Sequence, residues 1–319
     1  MSIPHPAPCI AITGATGFVG KPLCQALIEA GYRIKPMSRE LLGDLAREQT
    51  RREHLVPALF EGVDQVVHLA AIAHRGGVDD SAYDAVNHHA ALDLARAAAE
   101  AGCRRFIFLS TAKVLGDTSP PGKGFTDSDP PAPPDAYAQA KLAAEQALAE
   151  LAGTTAMETI SLRPPLVHGP EASANFGRLL QLCRDGGVAG LPVPLGRTGN
   201  QRSLIGLGTL IDAILAVIRS EQPVSGQYLL AEQPALATSD IIKAIADGMG
   251  KPAPVFSMPP GLLRLALTII GKAKLADRLL GDFAVDDAGF RRDFNWHPRL
   301  TSQESIAETA QTYRAQAAK

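Results

Sequence analysis

Runs of consecutive apolar residues alternate with helix-like stretches through the first half of the chain. Cys9–Ile12, Tyr32–Ser38, Asp64–Ala71, Arg105–Leu109 and Thr159–Leu162 read as strands. In Cys9–Ile12, Asp64–Ala71 and Arg105–Leu109 the apolar positions follow one another, the pattern of a sheet buried on both faces. A helix-like stretch follows the first strand to Ala30, a second runs from about Ser81 to Gly102, and a third begins near Ala136 and runs to about Leu151. Strands alternating with helices of this length predict a doubly wound α/β fold, with ligands at the carboxyl ends of a parallel sheet. Residues Glu40 to Gly62 are charged and helix-like, and no third strand is legible there. Beyond Arg163 the rhythm loosens into short helices and loops rich in glycine and proline. We expect residues 1–165 to form the sheet domain, with Thr209–Arg219 and Gln227–Ala231 (within 203–232) returning to it. Residues 166–202 and 233–319 then form a smaller, discontinuous lobe. Gly261–Gly271 is apolar but too short to span a bilayer, and it carries Arg264. It reads as a buried or amphipathic helix of that lobe, with attachment to a membrane surface as the alternative.

Composition narrows the function. A chain of 319 residues with 46% hydrophobic content can bury a sizeable core. A formal charge of -2 leaves no polybasic surface and argues against nucleic acid as the main ligand. Cys9, Cys24, Cys103 and Cys183 show neither metal-like nor disulfide-like spacing. With no signal-peptide pattern at Met1–Pro6 and no spanning segment, they predict a cytoplasmic protein without a metal.

The candidate chemistry begins at Gly14-Ala15-Thr16-Gly17-Phe18-Val19-Gly20, between the first strand and its helix. Gly14 permits a tight turn, Gly17 lets a pyrophosphate approach the backbone, and Gly20 lets the helix pack on its strand. The spacing is GxxGxxG rather than GxGxxG, so the strand before it and the helix after it carry the dinucleotide reading. At the end of the second strand, Ser38-Arg39 presents a cation where an NAD-binding chain places a carboxylate; this favours NADP, with NAD the other reading. Ala70 and Ala71 leave room beside the turn. Further on, Tyr137 and Lys141 stand at i and i+4 on one helix face. A free phenol titrates near 10, and a close lysine lowers that value towards the range of a useful base. Thr111, at a strand end, is placed to hydrogen-bond the same substrate oxygen.

In this order the motifs resemble the extended short-chain dehydrogenase/reductases, the nucleotide-sugar epimerase/dehydratase group. The resemblance runs through Gly14–Gly20, Asp64–Ala71, Asn87, Ser110-Thr111 with Val114 and Gly116, Tyr137/Lys141, Arg163–Pro170, Ala174-Asn175-Phe176, Arg202–Ile205, Arg278 and Phe294–Pro298. It implies a Rossmann domain in which Thr111, Tyr137 and Lys141 carry hydride chemistry. It also implies an NAD or NADP site lined by Gly14, Thr16, Gly17, Phe18, Val19, Arg39, Leu69, Ala70, Ala71, Tyr137, Lys141 and Pro164. Thr111, Lys113, Asn175, Arg202 and Arg278 would face a UDP-sugar, the arginines suiting its diphosphate.

Two departures stand out. The segment between Arg39 and Asp64 is short, which leaves open whether Asp44-Leu45 touches the adenine. The usual tyrosine before Gly116 is Leu115, and Lys113 points either at the site or into solvent. Ala112 and Lys113 stand where dehydratases carry carboxylates, which disfavours dehydration. Finer similarity in Pro121–Pro134 and Pro259–Asp286 is to bacterial UDP-sugar 4-ketoreductases of O-antigen synthesis. UDP-glucose or UDP-N-acetylglucosamine 4-epimerisation is the alternative, since the same triad serves both, and a non-catalytic dinucleotide binder is the third reading. The apolar faces of Ala90–Ala101 and Ala138–Leu151 would form a homodimer's helix bundle, as in the family, or be buried within the chain.

Overall fold

The computed structural model describes residues 7–38, 59–73, 77–172 and 174–317. Among these, the strands β1 (Cys9–Thr13), β2 (Arg33–Met37), β3 (Gln65–His68), β4 (Arg105–Leu109), β5 (Glu158–Arg163) and β8 (Gly226–Leu229) form one parallel sheet, in the order β2-β1-β3-β4-β5-β8. A separate parallel pair joins β6 (Leu166–His168) to β7 (Leu204–Gly206). The expected segment 40–62 lies outside the described residues except for its last four, and Arg39 lies outside them too.

Consecutive apolar positions on β1, β3 and β4 serve two cores. Ile10, Ile12, Val67 and Ile107 face α1 (Gly20–Glu29) and α6 (Leu207–Arg219), meeting Leu23, Leu27, Leu210 and Ile214. Ala11, Val66, Phe106 and Phe108 face the opposite side, against α3 (Ala90–Glu100) and α4 (Ala136–Thr154). There Ala91, Leu94, Ala95, Ala144 and Leu148 are buried within the chain. Much of the apolar surface that the sequence offered to a second copy is therefore packed against the chain's own sheet.

The second helix runs as α2 (Asp80–Tyr83), a π-helical segment Asp84–His89, and then α3. Asn87, fully buried in the wider segment, accepts from the Ile72 amide at 2.8 Å and donates to the Ile72 carbonyl at 3.0 Å. It pins the chain that leaves β3. That strand is shorter than the apolar run suggests: the Leu69 amide is shared between the Thr13 carbonyl at 3.3 Å and the Thr13 hydroxyl at 3.1 Å, and the Ala70 amide goes to the hydroxyl.

The remaining helices are α5 (Ala174–Arg184), α7 (Thr238–Gly248), α8 (Pro260–Ile269), α9 (Ala273–Leu280), α10 (Ala288–Phe294) and α11 (Ser302–Ala317). Of these, α5, α7, α8 and α11 share a core of their own around Phe176, Leu180, Ile241, Ile245, Leu263 and Ile306, and this assembly is called the second lobe below. The proline-rich segment 118–135 ties this lobe to the sheet domain. Phe125 donates to Ala284 and accepts from Asp286, both at 2.8 Å, while the Asp127 carboxylate accepts from the Leu229 amide at the end of β8 at 2.6 Å. Gly124 lies flush on the backbone there, since a Cβ would come within 3.1 Å of Val285. Arg105 is fully buried and donates to the carbonyls of Val217, Ser220 and Gln222, closing the carboxyl end of α6 while pairing with Glu158.

Candidate active site

Strand order reverses between β1 and β3, which opens a crevice at their carboxyl ends. Gly14 forms one wall in the left-handed region at φ 68°, where its Cβ would lie 2.9 Å from the Ala70 amide nitrogen. A Cβ on Gly20 would come within 2.0 Å of the Gly14 carbonyl oxygen, so glycine there lets α1 start directly on the turn. Helix α1 has no acidic residue in its first turn and no side-chain cap, which leaves its amino end to an anionic ligand. Leu69 and Ala70 are half-buried and Ala71 is exposed, so small side chains line the opposite rim. This donor-rich, carboxylate-poor turn fits a dinucleotide pyrophosphate.

Thr13, whose role the sequence did not disclose, holds the two walls together. Its hydroxyl accepts from Leu69 and Ala70 at 3.1 Å and lies 3.0 Å from His68 Nδ1. His68 in turn stacks on Phe106 and Phe108 at 5.8 and 5.9 Å. Burial, assisted by the charge of Lys141, drives its pKa from 6.5 to about 3. Below 6.5 the unfolded chain takes a proton that the folded one refuses, so this residue lowers stability as pH falls from 6.5 towards about 3. We expect His68→Asn to flatten the pH dependence of urea denaturation between those limits by up to about 1.4 kcal/mol per pH unit. An unchanged slope would show that His68 is not the titrating group.

Asp135 caps α4 by accepting from the Ala138 amide at 2.9 Å. Its other oxygen accepts from the Lys113 ammonium at 2.6 Å, and Asp117 lies 3.3 Å from the same amine. Lys113 is thus paired rather than simply solvated, at 27% side-chain exposure. It ties the turn after Thr111 to the start of the helix carrying Tyr137, and the hydroxyl of Thr111 caps that turn, accepting from the Lys113 amide at 3.3 Å.

Tyr137 is half-buried and meets Tyr83 edge-on at 5.9 Å. One turn later Lys141 is buried, its amine donating to the Leu109 carbonyl at 2.8 Å and lying 4.3 Å over the Phe108 ring. The expected lowering of the phenol by a neighbouring lysine is not what the structure shows. Burial, with Asp135 and Tyr83 adding to it, raises Tyr137 to about 12. Burial also lowers Lys141 to about 7, opposed by Glu145. The reason is directional, since the ammonium is committed to the end of β4. Beneath it, Glu145 and Arg163 form a buried pair with three contacts of 3.0, 3.1 and 2.6 Å, tying α4 to β5.

In the second lobe Asn175 is exposed at the start of α5. Arg202 donates to the carbonyls of Arg278 and Gly281, each at 3.1 Å, so the two predicted arginines share one corner, at the end of α9. Pro164 accepts from the Ala112 amide at 2.9 Å and borders the turn after Thr111.

A family model described as the NAD dependent epimerase/dehydratase family matches residues 10–231. A UDP-glucose 4-epimerase from Vibrio cholerae is 32% identical over 95% of this chain and 95% of its own. Among solved structures, a UDP-N-acetylglucosamine 4-epimerase from Bacillus cereus superposes with a TM-score of 0.78 at 18% identity, covering 97% of this chain and 100% of that one. A UDP-glucuronic acid 4-epimerase from the same organism, in complex with NAD, gives 0.74 at 20% identity, with 98% and 100% covered.

Proposed function

Since the chain belongs to the NAD dependent epimerase/dehydratase family, we propose that it is an NAD(P)-dependent oxidoreductase of the extended short-chain type acting at C4 of a UDP-sugar. The favoured reaction is reduction of a UDP-4-keto-6-deoxy-N-acetylhexosamine for a cell-surface polysaccharide. Gly14, Thr16, Gly17, Phe18, Val19, Leu69, Ala70, Ala71 and Pro164 would hold the dinucleotide, whose nicotinamide supplies a hydride when bound. Asn175, Arg202 and Arg278 would hold the nucleotide and diphosphate.

One observation supports the ketone reduction that both readings share. Burial holds the Tyr137 phenol protonated, with its pKa raised to about 12, which suits a donor to the alkoxide formed as a ketone is reduced. Thr111 would donate a second hydrogen bond to that oxygen, and Lys141, whose amine ties the helix to the Leu109 carbonyl, would fix the helix beside the cofactor's ribose. Dehydration lacks its carboxylates: Ala112 is buried and Lys113 is paired with Asp135.

The second reading, 4-epimerisation, is favoured by the 32% identity to the Vibrio cholerae protein. It shares the ketone-reduction step and differs in regenerating the cofactor. NADPH and NADH consumption with UDP-4-keto-6-deoxy-N-acetylglucosamine separates the two. We expect stoichiometric oxidation, the faster cofactor revealing the preference. Interconversion of UDP-glucose and UDP-galactose, or of their N-acetyl forms, without consumption would replace reduction by epimerisation.

A further inference from the structure

Helix α8 is apolar on two sides. Leu263 is buried and Leu267 half-buried against the core of the second lobe, where they meet Ile241, Ile245 and Leu280. Leu262, Leu265 and Ile269 recur at i, i+3 and i+7 on a different face, and they are 57%, 56% and 75% exposed. Ile270 and Leu275, in the turn and in α9, extend the exposed surface at 61% and 40%. A soluble helix normally turns charge outward opposite its buried stripe, and a second large apolar stripe marks a surface that something covers.

Charge identifies the occupant. Residues 251–281 carry five basic residues and one acidic residue, Asp277, in a chain whose net charge is -2. Asp277 is already paired with Arg264 at 2.7 Å. Residues 260–280 thus keep a positive balance, four basic residues to one acidic, and Lys272, in the turn beside the apolar stripe, has no carboxylate left in the hairpin to match it. A second copy meeting this face about a twofold axis would set like charges against each other. An anionic surface with an apolar interior supplies both complements.

We propose that the α8–α9 hairpin is a monotopic docking element for an anionic phospholipid bilayer, lying in the plane of the interface with Leu262, Leu265 and Ile269 inserted. Its length agrees: α8 has ten residues, which suits an interfacial helix and rules out a spanning one. The carboxyl end of the same hairpin carries the carbonyls that hold Arg202, so docking places the candidate diphosphate corner beside the membrane.

The test is flotation of the full chain with phosphatidylcholine vesicles, with and without phosphatidylglycerol. Binding to the anionic vesicles should exceed binding to neutral ones by about tenfold or more and fall with salt. The paired variant Leu265→Glu/Ile269→Glu should lose binding while keeping its circular dichroism and its turnover in solution. Lys272→Glu should weaken binding by about fivefold without touching the apolar stripe. Three outcomes would overturn the proposal: no binding to anionic vesicles, equal binding by the paired variant, or a concentration-dependent oligomer of the wild type that the paired variant dissolves. The last would assign the face to a second copy.

Discussion

Tyr137→Phe lowers turnover by about three orders of magnitude and leaves dinucleotide affinity within about twofold. The substitution removes one oxygen and keeps the ring edge against Tyr83, so the wall of the site is preserved. What disappears is the proton that burial and Asp135 hold on the phenol at neutral pH. Thr111 still offers a hydrogen bond but has no comparable proton to give up. The measurement is single-turnover oxidation of the reduced cofactor together with its equilibrium binding. Turnover within tenfold of wild type would move proton delivery to another group. Weakened binding at unchanged turnover would make Tyr137 a cofactor contact only.

Removing the Glu145 carboxylate is the costliest change we expect for stability. Glu145→Ala leaves the Arg163 guanidinium, 6% exposed at its side chain, without its partner. An uncompensated buried charge of this kind costs about 3–5 kcal/mol in urea denaturation. The double variant Glu145→Leu/Arg163→Leu should recover most of that loss, because it removes both charges and their desolvation together. A single variant as stable as wild type would show that water reaches the pair. Glu145 also opposes the lowering of Lys141, so its loss drops the Lys141 pKa further below about 7 and increases the neutral fraction of that amine.

The features legible in the sequence are those with local causes. The five predicted strands, the glycine turn and the helix carrying Tyr137 and Lys141 each depend on residues a few positions apart. Missing were groups whose partners lie far along the chain. Thr13 sits within the glycine motif, yet its three contacts reach to 68, 69 and 70. Lys113 was ambiguous because Asp135 is 22 residues away. The phenol's shift went against expectation because an i, i+4 spacing sets a common helix face but not the aim of an amine that finds a carbonyl on β4. Segment 118–135 has a loop's composition, and only its hydrogen bonds to 282–286 show that it joins two lobes. Helix α8 was legible as a short apolar helix, but which of its faces is covered is decided by the rest of the lobe.

The place of β8 in the sheet has a consequence for synthesis. Residues Ile160–Arg163 of β5 pair with Gly226–Leu229, which emerge from the ribosome only after the whole of β6, α5, β7 and α6. Until then the nascent sheet ends on β5 with its outer amides and carbonyls unpaired, and Arg105 waits for the carbonyls of 217–222. Translation stalled between 163 and 226 would thus expose a template for aggregation, and chaperone contact should be densest over that interval.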